Sequence, residues 1–553
     1  MQYGVIKKRK HPRLSTLATA IIGTMAVWLA AGSAQADEFN TGNPDLKMRW
    51  DNTVRYNLAR RMEGIDPLIG NNATTDESDN RFSKGSIVNN RLDLLSEFDL
   101  VYQGNKGLRV SAAAWYDNAY SKQRVTNGSN LAGRGSYTND TYSSFIKRYY
   151  NGPSGEILDA FVFGNFDLGA TSLRLKAGKH SLFWGDVTFN STHSVAYSQM
   201  PQDTRKQLSS PGIEAKETVL PVNQLSGQVQ VSENLAFAAF YFLDWKPNRL
   251  PEGGTYYGAA DFLFQGPNRF SLAPGFAINN APGIIPDKKR GNFGVNMKWS
   301  PAWLDGTLGV YYRKFDDRTP WSTPQINAVP GGFYRLAYAR DTELYGIGLN
   351  KNLGRVAFAA ELSQRKNTAF INSGINPVTL EGPLGNSTHL IVNGTLLGNL
   401  AASVPYTAVA EIAYSRWDKV TKNANLFKGD GYAGCTGLNI NFACATKDYV
   451  GVSLLYVPKF LQFVPGGDLS IPMFYQVGVK GNAATLSGGN KGAGTWSIGA
   501  QLDYLAKHKF SLTYSDFMTK YKNAGTQANP NLVGNGPLYG DRGLLTFTYS
   551  TSF

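Results

Sequence analysis

Leu545-Thr546-Phe547-Thr548-Tyr549-Ser550-Thr551-Ser552-Phe553 decides how the rest of the chain is read. In an extended strand successive side chains point to opposite faces. Leu545, Phe547, Tyr549, Thr551 and Phe553 therefore share one mostly apolar face, and Thr546, Thr548, Ser550 and Ser552 share a polar one. The same period of two returns upstream in Trp496/Ile498/Ala500/Leu502/Tyr504 and Leu469/Ile471/Met473/Tyr475/Val477. It recurs in Val356/Phe358/Ala360/Leu362, Phe293/Val295/Met297/Trp299 and Leu108/Val110/Ala112/Ala114/Tyr116.

Such faces can meet in a soluble sandwich, apolar side inward, or line an outer-membrane barrel, apolar side outward to lipid. Three features favour the barrel. Trp299, Tyr504, Tyr549 and Phe553 sit near strand ends, where amphipathic rings suit a membrane interface. Tight connections (103–106, 232–234, 506–508) alternate with long polar ones (59–88, 119–154, 246–290, 418–446, 520–541), the pattern of periplasmic turns and extracellular loops. The chain also ends on an aromatic residue, with Phe547 and Tyr549 in phase with Phe553. That ending resembles the signal read by the bacterial barrel-assembly machinery.

The expected fold is all-β: one closed antiparallel transmembrane barrel over 37–553, with both termini periplasmic. Eighteen strands are expected, at 47–58, 89–102, 107–118, 156–168, 172–184, 222–231, 235–245, 291–300, 307–316, 343–352, 355–365, 387–398, 406–417, 447–457, 468–480, 495–505, 508–519 and 542–553. The span 387–398 alternates least cleanly, but without it the order of long and short connections breaks.

Residues 1–36 read as a secretory signal peptide. Lys7, Lys8, Arg9, Lys10 and Arg13 precede the apolar run Leu17 to Ala31 and the small-residue site Ala34-Gln35-Ala36. Cleavage before Asp37 lowers the formal net charge from +14 to +9, an excess too diffuse for a nucleic-acid stripe. An apolar content of 42% and aromatic content of 12% exclude disorder, and two Cys exclude a disulfide-dense scaffold. After the leader no apolar run of about 18 residues occurs, which excludes a helical membrane bundle.

Lys179-His180-Ser181-Leu182-Phe183-Trp184-Gly185-Asp186 is similar to the Gly-Arg-Gln-x-x-x-Trp-Gly-Glu run of a large proteobacterial family, domain of unknown function 1302. Pro201-Gln202-Asp203, Pro211-Gly212, Leu220-Pro221-Val222-Asn223, Asn90-Arg91-Leu92 and Pro465-Gly466-Gly467-Asp468-Leu469-Ser470-Ile471-Pro472 follow that family's order. Gly178-Lys179-His180 replaces Gly-Arg-Gln, and Asp186 replaces the acid. The resemblance spans essentially the whole mature chain. It implies an outer-membrane barrel, often encoded beside transport and hydrophobe-catabolism genes, and names no substrate.

Charges fall on the phase expected to face a lumen: Arg49, Asp51, Arg55, Arg91, Asp93, Glu97, Asp99, Arg109, Asp117, Arg174, Lys176, His180, Lys298, Arg313, Glu361, Glu411 and Asp503. They would either set ion selectivity or brace the wall as ion pairs. Segment 185–221 is too long for a hairpin and holds Pro201, Pro211 and Pro221. It is expected to fold into the lumen, with a short helix from Ser210-Pro211 and with Val195, Tyr197, Met200 and Ile213 meeting an apolar solute; the alternative is a surface loop. Arg174, Lys176, His180, Trp184 and Asp186 form the expected constriction. Cys435 and Cys444, in one external loop, are expected to form a disulfide in an oxidising compartment.

A hydrolytic site at Ser191-Thr192-His193-Ser194 is the catalytic alternative; the other His residues of the mature chain are His180, His389 and His508. No nucleotide-binding or metalloprotease spacing occurs, and no cofactor or metal is expected. The expected task is a channel for small or amphipathic solutes in the Gram-negative outer membrane, contacting lipid and lipopolysaccharide. The alternatives are an export or surface-assembly component with a periplasmic lipoprotein or inner-membrane pump partner, and a surface-binding barrel with a closed lumen.

Overall fold

The computed structural model describes residues 37–553 apart from 129–130, 132–133, 170, 211–212, 214, 288–289, 402–403, 430–431, 436–443 and 536–537. The expected leader, 1–36, lies outside the described residues, as do Pro211 and Gly212.

Eighteen strands form the wall. They are β1 (Leu46–Arg61), β2 (Ile87–Tyr102), β3 (Lys106–Asp117), β4 (Ser154–Leu168), β5 (Thr171–His180), β6 (Val222–Ser232), β7 (Leu235–Phe242), β8 (Phe293–Trp299) and β9 (Gly306–Phe315). The others are β10 (Thr342–Leu353), β11 (Val356–Ala369), β12 (Leu384–Ala401), β13 (Val404–Lys422), β14 (Asp448–Val464), β15 (Gly467–Ser470 continued by Met473–Lys480), β16 (Gly494–Tyr504), β17 (His508–Met518) and β18 (Leu544–Ser552). Each pairs antiparallel with the next, and β18 pairs with β1. Closure leaves no edge whose amides would face hydrocarbon unpaired.

A short strand, Asp37–Phe39, pairs with β1 beyond the end of β18. Phe553 exchanges two backbone hydrogen bonds with Asn52, and Asp37 then lies opposite Trp50. Within β15 the ladder passes Ile471 and Pro472, which has no N–H to give. It is carried by Ile471 N donating to Pro458 O and Gly499 N donating to Pro472 O.

Register separates the two faces. Arg49 lies opposite Asp99, Asp99 opposite Arg109, and Arg109 opposite Phe161, so these four share the inner face. The outer face carries exposed apolar side chains such as Leu175, Leu225, Val295, Ile347, Ile412 and Leu512. No described residue covers them, and lipid satisfies such a band.

The expected boundaries shift in places. β12 runs through eighteen residues, the second longest strand of the wall, although its sequence alternates poorly. It is flanked by two long partners whose ladders hold it in register. β5 stops at His180 rather than at 184, because the chain turns inward there. β13 extends to Lys422, so the loop expected at 418–446 occupies 423–447. Cys435 and Cys444 are joined within it.

Long loops pack over one end of the barrel. Phe82, Tyr120, Tyr137, Tyr142, Tyr150 and Tyr256 form a buried aromatic cluster drawn from three of them. Beneath it, Arg61 of β1 donates to Asp79 Oδ1 at 2.8 Å and to the carbonyls of Asp79, Phe82 and Asp541. Arg542 lies 3.5 Å from Asp79. These buried charges fasten loops 62–86 and 519–543 to each other and to the wall.

Candidate functional site

Segment 181–221 leaves β5 and returns at β6, and between them it bonds to inner-face residues on both sides of the barrel. Glu411 of β13 accepts from the backbone N–H of Thr188 at 2.7 Å, of Phe189 at 3.2 Å and of Asn190 at 2.7 Å, and from Asn190 Nδ2 at 2.9 Å. Three successive amides aimed at one carboxylate make an anion nest. Glu361 of β11 accepts from Val195 N at 2.9 Å and from Asp186 N. Asn393 of β12 donates to Asp186 O at 2.7 Å, and Gln476 of β15 to Asn190 Oδ1 at 2.6 Å.

The other half of the segment is held by β1 and β2. Arg55 pairs with Glu217 at 2.8 Å, and Lys206 with the same carboxylate at 3.1 Å. Ser210 donates to Asp93 Oδ2 at 3.1 Å, and Lys216 pairs with Glu97 at 2.5 Å. One helix here, Thr204–Ser209, is capped by Asp203, whose side chain accepts from Lys206 N. The expected start at Ser210 is thus where this helix ends; a second turn spans Ala215–Thr218. Burial would push the Asp203 carboxyl up, but Arg205 at 2.5 Å and Arg249 at 3.3 Å bring it below the usual range.

The apolar residues of the segment face the wall, not a solute path. Val195, Tyr197 and Met200 are buried with Trp184, Phe240, Tyr311 and Leu344 in one cluster, and Ile213 is half-buried. Trp184 belongs to the segment, not to a strand, and its ring packs 4.8 Å from that of Phe240. The expectation that these side chains greet an apolar solute is corrected: burying them is what docks the segment.

The residues singled out from sequence fall into two groups. Arg174 and Lys176 of β5 line an inner cavity of about 360 Å³ with Gln228, Asn296 and Lys298. Asp186 borders a neighbouring cavity of about 340 Å³ with Lys298, Tyr311 and Asn350. His180 is buried against the wall, with Nε2 2.7 Å from Ser226 Oγ and Nδ1 3.1 Å from Gly178 O. Along β1 to β3 Arg49 pairs with Asp51 at 2.6 Å, Asp93 with Arg91 at 2.9 Å, and Arg109 bidentately with Asp99 at 2.6 Å. The two groups meet at Phe161, which lies opposite Arg109 and whose ring centroid is 5.2 Å from Lys176 Nζ.

Sequence reasoning passed over a histidine pair. His193 of the segment and His389 of β12 face each other with Nδ1–Nδ1 at 3.0 Å, both buried. His193 Nε2 lies 2.7 Å from Gly488 O, which only accepts, so that nitrogen carries the proton. His193 Nδ1 then accepts from His389, whose Nε2 accepts from Ser387 Oγ at 2.8 Å. Both ring nitrogens of His193 are thus engaged, by His389 and Gly488, and among the described residues neither meets a hydroxyl of the Ser191–Ser194 run. Burial, with Arg365 nearby, lowers the His193 pKa to about 4. An undocked segment would take up the proton near 6.5, while the docked one stays neutral down to about 4. This contribution to docking is complete above pH 6.5 and shrinks below it by about 1.4 kcal/mol per pH unit. Conductance in planar bilayers is therefore expected to rise between pH 7 and pH 4.5. A flat profile would remove this pair from the docking balance.

A closed antiparallel wall of eighteen strands with an apolar outer face defines an outer-membrane β-barrel. The chain belongs to the family described as Protein of unknown function (DUF1302), which matches residues 17–553. No curated protein matches the chain. Among solved structures, OccAB2 of Acinetobacter baumannii is 10% identical, with 92% of this chain and 98% of that chain covered and a TM-score of 0.42. OccD3 (OpdP) of Pseudomonas aeruginosa is also 10% identical, with 95% and 94% covered and a TM-score of 0.40. OpdK of Pseudomonas aeruginosa, solved with vanillate, is 10% identical, with 92% and 98% covered and a TM-score of 0.39. At these values the likeness says nothing about solute.

Proposed function

We propose that the protein is a passive outer-membrane channel for small or amphipathic solutes whose lumen is controlled by segment 185–221. The observation that carries this reading is the two-sided attachment of the segment, to Glu361 and Glu411 on one flank and to Arg55, Asp93 and Glu97 on the other. A mere surface loop would have no reason to place its amides on inner-face carboxylates. No step of bond-making chemistry is involved; solute moves down its gradient. Planar-bilayer recording tests this. Deleting 190–220 is expected to raise conductance severalfold over the intact protein, and an unchanged value would reject the segment as the controlling element.

Arg174, Lys176 and Lys298 give the cavity on the β5 flank a positive lining. Replacing Arg174 and Lys176 by Gln is expected to shift the reversal potential in a salt gradient towards cation selectivity. An unchanged potential would place both outside the ion path. A surface-binding barrel with a closed lumen is the second reading, favoured by the aromatic cluster that packs the loops together. It predicts no conductance from either the intact or the shortened protein.

A further inference from the structure

Three arginines under the inserted segment have no carboxylate partner. Arg313 of β9, Arg365 of β11 and Arg318 of the loop after β9 are all fully buried. None of them has an acidic oxygen within ion-pair distance among the described residues. Asp317, the acid beside them, is already engaged: it accepts from Tyr197 Oη and from Ser198 Oγ at 3.0 Å. The acids around them act only through space, and guanidinium groups buried without a direct ion pair call for a closer counter-charge.

What the arginines hold instead is main-chain oxygen of the segment. Arg313 Nη1 donates to Val195 O at 2.7 Å and Tyr197 O at 2.8 Å. Arg365 Nη2 donates to Thr192 O at 2.7 Å and Ser194 O at 3.1 Å, and Arg318 Nε to Ser198 O at 3.2 Å, while Arg318 Nη1 donates outside the segment to Lys246 O at 2.7 Å. Their remaining buried donors have no acceptor among the described residues: Nε and Nη2 of Arg313, Nε and Nη1 of Arg365, and Nη2 of Arg318. The free Nε and Nη2 of Arg313 are adjacent, the spacing that a carboxylate fills with both oxygens. Aromatic rings flank the guanidinium groups: Tyr197 at 3.9 Å from Arg365, Phe315 at 4.5 Å from Arg313 and Phe242 at 5.1 Å from Arg318.

We infer that Arg313, Arg365 and Arg318 form a binding site for an organic carboxylate, which on binding displaces the carbonyls of 192–198 and frees the inserted segment. This deepens the channel reading and rests on it, since it names the solute class and the trigger of that same segment. Main-chain carbonyls offer the guanidinium groups a neutral acceptor, whereas a carboxylate brings a full counter-charge and two oxygens that match paired donors. The flanking rings favour an anion with an apolar body over an inorganic one. Docked, the site is closed, so binding and release of the segment must occur together.

The test reads the segment rather than the current. Ala196 is buried, and an Ala196→Cys variant supplies a single free thiol, because Cys435 and Cys444 are bonded to each other. Maleimide labelling of the purified full-length barrel in detergent micelles is followed with sodium benzoate, benzamide or sodium phosphate. Benzoate is expected to accelerate labelling about tenfold or more, and benzamide, the uncharged analogue, not at all. Arg313→Gln with Arg365→Gln should abolish the dependence on benzoate. Equal rates with benzoate and benzamide in the otherwise unaltered chain overturn the inference without any arginine variant. A phosphate response as large as that to benzoate overturns the assignment to carboxylates. Because labelling does not need ion flow, a barrel that never conducts yet responds to benzoate refutes the channel reading alone.

Discussion

Glu361→Ala combined with Glu411→Ala is expected to raise single-channel conductance about threefold or more while leaving the barrel folded. The two carboxylates accept from five backbone amides of the inserted segment and one side-chain amide, at Asp186, Thr188, Phe189, Asn190 and Val195. Hydrogen bonds to a charged acceptor contribute about 1.5–3 kcal/mol each, and rehydration of the freed amides offsets much of the sum. A net loss of about 3–4 kcal/mol would raise the undocked population by about 10²–10³-fold. The wall should not suffer, because both positions sit in strands whose ladders are complete on both sides. Single-channel recording, with heat-modified gel mobility as the check on folding, decides the matter. Conductance equal to that of the unaltered protein would mean that the segment's other contacts hold it without these two carboxylates.

Arg61→Met is expected to have the second large effect, at the opposite end of the molecule. Arg61 is fully buried and bonds to Asp79, Phe82 and Asp541, and only Arg542 would remain to face the two carboxylates. Removing one partner from a buried ionic network costs about 3–5 kcal/mol. The cost falls on loops 62–86 and 519–543, since β1 keeps its ladder with β2 and β18. Trypsin should cut at Arg81, Lys84, Lys520 or Lys522 about a hundredfold faster or more, while the barrel body stays resistant. Unaltered cleavage rates would show that the aromatic cluster holds those loops unaided.

The wall was legible because lipid imposes a period of two on each strand, and Leu545 to Phe553 obeys it almost residue by residue. β12 was the hard case. Ile391 is apolar yet lies fully buried on the inner face between His389 and Asn393, so Leu390-Ile391-Val392 did not read as alternation. Glu361 and Glu411 were visible as inner-face charges, yet their partners lie 166 to 223 residues away. Segment 185–221 has no periodicity of its own, and nothing local says which wall its amides will meet. Trp184 looked like the end of a strand because the odd-numbered phase of Leu173, Leu175 and Ala177 is taken up again at Phe183 beside it. The ladder nevertheless stops at the His180–Val222 pair. Arg318 and Arg365 left no signal, since a lone arginine reads the same whether it is paired or not.

The short strand Asp37–Phe39 continues the line of β18 along β1 in the same direction, with only the place opposite Asp51 between Phe553 and Asp37. Residues 37–553 thus almost form a ring. A linker of a residue or two joining those positions would let the sequence be reopened within any exposed connection, giving circular permutants that keep every wall contact while moving the aromatic carboxylate away from the seam. Whether such rearranged chains still fold into the barrel would show whether the position of the aromatic terminus matters to the cylinder itself.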